Sequence, residues 1–226
     1  MAGSRPPISA EFDSAALRCR LDAGLAAMGA DIDAALDDAG RDRLIAFLAL
    51  LVRWNRAYNL TAVRDPVEMV PRHLLDSLAV VPFLIDGSLL DVGTGAGLPG
   101  VPIAIARTDL AVTLLDANAK KLRFVRQAVA ELGLANVEVV QARMQEYQPG
   151  RAFDMVISRA VSSLEELYRQ SRHLLAPRGR MLFMKGALPE EEMAAFAPGR
   201  ETLHIQCLDI PGLDAERHLL WLDKQG

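Results

Sequence analysis

The stretch Asp91–Ile105, DVGTGAGLPGVPIAI, decides the fold. An apolar run at Leu89–Val92 leads into it and a helix-forming segment leaves it, the setting in which glycines let a backbone turn tightly and approach a nucleotide closely. Working outward, short apolar runs alternate with helical segments: candidate strands at Leu89–Val92, Val112–Leu115, Val137–Val140, Phe153–Ile157 and Met181–Met184, with helices at Ala119–Leu132 and Ser163–Leu175 between them. Gly133 stops the first helix, and Pro177 and Gly179 follow the second. Strand-like runs at Thr202–Leu208 and His218–Leu222 close the chain. That alternation predicts a doubly wound, mostly parallel Rossmann-like sheet with its ligand beyond the carboxyl ends of the central strands.

Upstream the text is helical. Leu44, Phe47, Leu48 and Leu51 make one apolar stripe, and Asp65-Pro66-Val67-Glu68 reads as a helix start with Asp65 as cap and Glu68 closing a capping box. The expected organisation is an N-terminal helical extension over residues 1–85 and a cofactor-binding domain over 86–226.

Gly95–Gly100 satisfies GxGxxG, a pattern that on its own fits more than one nucleotide cofactor. Asp116 ends the second strand, where a carboxylate accepts hydrogen bonds from ribose hydroxyls. Asp91 separates the choices: a carboxylate just before the first glycine repels a pyrophosphate but suits a cofactor bearing an ammonium and a sulfonium. S-adenosylmethionine is therefore expected over NAD. Arg143-Met144-Gln145-Glu146 follows the third strand, where a methyltransferase of this class seats adenine, with Met144 against the purine face.

Of 226 residues, 51% are hydrophobic and 24% charged, ordinary for a globular chain. Cys19 and Cys207 form neither a disulfide framework nor a metal motif, and no apolar run approaches the ~20 residues of a membrane helix. A cytoplasmic monomer with no membrane contact and no metal is expected. The net charge of −4 is concentrated in residues 1–42, which leaves the remainder balanced, with bases gathered at Arg53, Arg56, Arg64, Arg72 and His73 and again at Lys120, Lys121, Arg123 and Arg126.

The Asp91–Ile105 block, with WNRAYNLT at Trp54–Thr61, RHLLDSL at Arg72–Leu78, Ser158-Arg159-Ala160 and Lys185-Gly186, resembles the RsmG family, also called glucose-inhibited division protein B. The resemblance implies S-adenosylmethionine-dependent methylation of N7 of a guanine in bacterial 16S ribosomal RNA. It also implies cofactor contacts at Gly93, Leu98, Met144, Gln145 and Arg159, with Asp116 on the ribose by the general logic of the class. Gln145 departs from the Glu common in relatives; its carbonyl oxygen still accepts a hydrogen bond.

Transfer from a sulfonium to guanine N7 is a displacement by a lone pair that carries no proton, so no general base is needed. Ile157-Ser158-Arg159-Ala160 lacks the Asn/Asp-Pro-Pro-aromatic pattern of exocyclic-amine methylation, and both cysteines lie far from it in sequence. Arg159 is the expected catalytic side chain, touching the cofactor or donating to guanine O6. Expected RNA contacts are Arg72, His73, Lys120, Lys121, Arg123 and Lys185, although bracing of helices accounts for several of these equally well. Helical spacing lets Arg72 pair with Asp76, whereas the resemblance suggests that Arg72, His73 and Asp76 border the RNA or cofactor pocket; Trp54 and Tyr58 are better read as core packing than as a base-stacking pair. The alternatives are a methyltransferase acting on a protein or small molecule, an NAD-dependent oxidoreductase, and a non-catalytic nucleotide-binding module.

Overall fold

The computed structural model describes residues 12–159, 163–188, 190–196 and 201–224. Ala160 and the outer ends of both expected domains lie outside them. The chain winds seven strands into one sheet in the order β3-β2-β1-β4-β5-β7-β6. These are β1 (Ser88–Val92), β2 (Ala111–Asp116), β3 (Val137–Gln141), β4 (Phe153–Arg159), β5 (Leu175–Lys185), β6 (Leu203–Cys207) and β7 (His218–Asp223). The first five are parallel, whereas β7 runs antiparallel to both β5 and β6. The order reverses between β1 and β4, and a ligand crevice opens at the carboxyl end of such a switch point.

Helices α1 (Ser14–Met28), α2 (Ala30–Ala34), α3 (Asp38–Tyr58), α4 (Pro66–Met69) and α5 (Asp76–Leu78) precede the sheet, and α6 (Gly100–Ala106), α7 (Ala119–Leu132), α8 (Leu164–Ser171) and α9 (Glu190–Ala195) lie within or beside it. The apolar stripe of α3 is fully buried at Leu44, Phe47, Leu48 and Leu51, and joins Ile103, Ala104, Phe124 and Val125 of α6 and α7 in one continuous core. At about 25 cal/mol per Å² of apolar surface, this shared burial is what holds the leading helices on the sheet.

Local chemistry sets the ends. Asp37 accepts from Gly40 N at 2.7 Å, and Asn118 accepts from Lys120 N and Lys121 N, so each caps a helix start. Asn59 at φ 51° and Gly133 at φ 63° close α3 and α7 in the left-handed region that ends helices.

Three expectations need correction. Asp65 caps as expected, with Val67 N at 2.9 Å, but Glu68 turns to Arg72 (3.1 Å) and closes no capping box. Arg72 therefore does not pair with Asp76. The helix expected over Ser163–Leu175 ends at Ser171 and tightens into a 3-10 turn at Arg172–Leu174; β5 already starts at Leu175. Phe153 pairs with Leu175 but Met155 with Arg180, so Pro177 and Gly179 sit in a bulge of β5. Proline's missing N–H suits a position outside the ladder.

Candidate active site

A cleft of about 680 Å³ opens at the carboxyl ends of β1, β2, β3 and β4. Its walls include every expected cofactor residue: Gly93, Leu98, Asp116, Met144, Gln145 and Arg159. Thr61 and Leu60, from the segment after α3, close the opposite side. This volume is within the usual 300–1,000 Å³ range of small-molecule sites.

Asp116 holds the loop rather than waiting free. Its Oδ2 accepts from Gly95 N at 2.8 Å and its Oδ1 from Asn118 N at 2.7 Å, and each carboxylate oxygen keeps a further lone pair for a hydroxyl donor. Gly95 reaches Asp116 by adopting φ 58°, a left-handed conformation that costs glycine nothing. At the far end of the cleft Met144–Glu146 forms a 3-10 turn, and Gln145 Nε2 donates to Gln170 Oε1 at 2.9 Å, leaving its carbonyl oxygen toward acceptor duty.

Asp91 does not line the cleft. It is wholly buried behind the loop, with Oδ2 accepting from Thr94 Oγ1 (2.6 Å) and Gly100 N (2.9 Å). Its other oxygen, Oδ1, is buried with no hydrogen-bond partner. Burial pushes the carboxyl up to about 6, against the hydrogen bonds from Thr94 and Gly100. A positive group in the adjoining cleft would favour its ionised form, so the residues present fit a cationic cofactor, with Asp91 acting from behind the wall.

The folded value near 6 lies above the ordinary 3.8, so this carboxyl contributes stability below pH 3.8 that is lost as pH rises through 6, about 3 kcal/mol in all. Asp91→Asn is accordingly expected to raise the melting temperature of the cofactor-free protein above pH 6 and not below pH 4. The wild type is expected to bind a cationic cofactor more tightly as pH rises through 6, and the variant to lose that slope. Melting curves and titration calorimetry from pH 4 to 8 check both; an unchanged slope in the variant would remove Asp91 from the linkage.

Arg159, at the end of β4, stands in the wall shared with a second cavity of about 390 Å³. That cavity is lined by Val63, Arg72, His73, Asp76, Arg159, Met184, Lys185, Gly186 and Arg217. Arg159 Nη1 donates to Asp76 Oδ2 at 3.1 Å and to the Arg72 carbonyl at 3.3 Å, while Arg217 Nε donates to Asp76 Oδ1 at 2.9 Å. Ser158 Oγ donates to Val92 O at 2.9 Å and fastens β4 to β1 beside the cleft.

The expected RNA residues divide. Arg72, His73 and Lys185 meet at the second cavity, but His73 is only 5% exposed and bonded through Nε2 to Thr61 Oγ1 at 2.9 Å. Burial, aided by positive Arg159, pushes its pKa down to about 4, so it is neutral near pH 7. Lys185 pairs with Glu192 at 3.1 Å. Lys121 lines the cofactor cleft, whereas Lys120 and Arg123 are exposed on α7, with Lys120 lying 5.3 Å over the Tyr58 ring. Trp54 packs between Tyr58 (4.9 Å) and Phe124 (5.9 Å), so it belongs to the core. Sequence reasoning missed Arg217 and Thr61 as site residues; the Glu216-Arg217-His218 charge run before an apolar strand is the only local signal for the first.

Among the described residues, no helix is long and apolar enough to cross a membrane and no group of three or more His, Cys, Asp or Glu is placed to hold a metal.

The family described as rRNA small subunit methyltransferase G matches residues 41–220. Ribosomal RNA small subunit methyltransferase G of Alkalilimnicola ehrlichii is 52% identical over 82% of this chain and 84% of its own length. The protein of the same name from Methylobacillus flagellatus is 49% identical over 90% and 96%. Among solved structures, a predicted O-methyltransferase from Agrobacterium tumefaciens superposes with a TM-score of 0.54 at 26% identity, covering 68% of this chain and 80% of that one. An S-adenosylmethionine-dependent methyltransferase from Aquifex aeolicus shares the fold, with a TM-score of 0.54 at 18% identity over 73% of this chain and 96% of that one.

Proposed function

The chain belongs to the rRNA small subunit methyltransferase G family, a family of methyltransferases, and from that premise we propose that it uses S-adenosylmethionine to methylate N7 of a guanine in 16S ribosomal RNA. The observation that carries the atomic part of this reading is the position of Arg159 between the two cavities. The cleft over Gly93 and Asp116 takes the cofactor; the cavity beside it takes the target base. Residues 86–226 then form the cofactor-binding domain, and residues 1–85 an extension that supplies walls to both sites.

When bound, S-adenosylmethionine supplies a methyl group activated by its sulfonium. Gly93, Leu98, Arg159 and the Met144–Gln145 turn would seat the cofactor along the strand ends, Asp116 would accept from its ribose, and Asp91 would add negative charge from behind the loop. Arg159 has donors left after its bonds to Asp76 and the Arg72 carbonyl, and one of these would hold guanine O6, presenting N7 for attack. Orientation of this kind contributes up to roughly 7–11 kcal/mol in well-aligned cases. His73, neutral near pH 7 and buried, has no proton to take from N7, which bears none.

The test is transfer of labelled methyl groups to small ribosomal subunits from cells without this gene, followed by mass mapping of the RNA. A single 7-methylguanosine is expected; label at another atom, or none, overturns the reading. Binding to subunits should weaken steeply with salt. Neutralising Lys120 and Arg123 together should lower that slope by about 1–2, at roughly 0.7–0.9 per phosphate contact. An unchanged slope in the double variant would place RNA elsewhere than on α7.

A further inference from the structure

We propose that Asp76 is a positioning residue, a single buried carboxylate that fixes Arg159 toward the cofactor cleft and Arg217 toward the second cavity. Only 2% of Asp76 is exposed, and a charge so enclosed is tolerated when it is paired and hydrogen-bonded. Each oxygen takes one guanidinium, Oδ2 from Arg159 and Oδ1 from Arg217. The three residues come from α5, β4 and the approach to β7, separated by 83 and 141 positions along the chain. The carboxylate thus joins three segments at the wall between the cavities.

The backbone before Asp76 is shaped for the same task. Val70–Leu75 winds as a π-helix, and Asp76 N donates to Pro71 O, one residue further back than the Arg72 carbonyl an α-helix would use. The Arg72 carbonyl is the second acceptor for Arg159 Nη1. Two acceptors on separate groups set both the place and the plane of the guanidinium. Arg72 itself is drawn off to Glu68, and His73 is held by Thr61, so neither competes for Asp76. A wider helical turn at a functional site is a recurring device.

Asp76→Asn isolates the role, because an amide offers one acceptor oxygen and turns a donor toward the other arginine. S-adenosylmethionine affinity is read by calorimetry and kcat and KM by methyl transfer to small subunits. The variant should bind the cofactor about tenfold more weakly and lose about 100-fold in kcat, the size expected when a reacting group is displaced by about an ångström. Arg217→Ala should keep cofactor affinity and raise KM for the subunit, since Asp76 then serves Arg159 alone. In an Arg159→Lys background, Asp76→Asn should add less than about twofold to the loss of cofactor affinity, as expected for residues acting as a unit.

Asp76→Glu is measured in parallel and completes the same cycle if the Asn variant does not fold. Cofactor affinity within twofold of wild type in the Asp76 variants overturns the proposal, as does full additivity with Arg159→Lys. The RNA arm rests on the whole function proposed above, whereas the cofactor arm rests only on its use of S-adenosylmethionine. A wild type that binds S-adenosylmethionine but methylates no subunit sinks that function and still leaves the Asp76 cycle decisive.

Discussion

Arg159→Ala is expected to lower kcat for methyl transfer by about 100- to 1,000-fold, the usual cost of deleting one preorganised donor at a reacting centre. Among the described residues the side chain is the one charged group in both cavity walls, and it is held rather than free: Nη1 is committed to Asp76 and the Arg72 carbonyl. Under the proposed function, removing it deletes the donors that would hold the base, and it leaves Asp76 with Arg217 as its remaining cation. Removing one partner of a buried pair costs about 3–5 kcal/mol. Here the surviving ion pair offsets part of that cost. Arg159→Lys keeps the charge but presents a point in place of a fork, so it should recover stability more fully than rate. Steady-state kinetics alongside denaturant melts separate the two effects. A kcat within tenfold of wild type for the alanine variant would exclude Arg159 from the chemistry.

Gly100→Ala is expected to damage fold and cofactor site together. A Cβ built there would lie 2.2 Å from Leu114 Cδ2, 2.7 Å from Asp91 Oδ2 and 3.1 Å from Asp91 Cβ. Both neighbours are wholly buried, and Asp91 is anchored to Thr94 and to Gly100 N itself. Overpacking of this kind costs about 1–3 kcal/mol or more, and the displaced carboxylate would carry the loop with it. Gly95→Ala makes the contrast: its Cβ would meet nothing closer than 3.8 Å, so the cost there comes from φ 58° alone, about 1 kcal/mol. Chemical denaturation should therefore place Gly100→Ala well below Gly95→Ala. If Gly100→Ala melts within about 2 °C of wild type, less than ~1 kcal/mol at this size, the clash is not real.

The strand and helix alternation was readable because burial imposes a period on the text. Leu89–Val92, Val112–Leu115 and Ala119–Leu132 carry their own apolar pattern and their own stop signals, and all three appear at or within a residue or two of the expected ends. The helix capped by Asp65 was readable for the same reason, since the cap acts on a neighbour two residues away. Pairing was not. Helical spacing permits Arg72 to meet either Glu68 or Asp76, and the choice depends on Arg159 and Arg217, which arrive from 83 and 141 residues beyond Asp76. No local rule announces the π-turn that makes room for them. Asp91 shows a subtler limit: its charge was legible, but its burial behind the loop depends on Thr94 and Gly100 folding over it. Any pull on a cationic ligand would therefore act through the wall instead of across an open site.

The reversed direction of β7 has a practical consequence. Because His218 pairs with Lys185 and Asp223 with Arg180, the strand begins beside the cleft, where it delivers Arg217, and finishes toward the opposite rim of the sheet. A tether joined after Asp223 thus departs from the rim away from both cavities. Immobilising the protein by that end should leave the route for a ribosomal particle open, whereas cutting the chain before Arg217 would remove a side chain from the site.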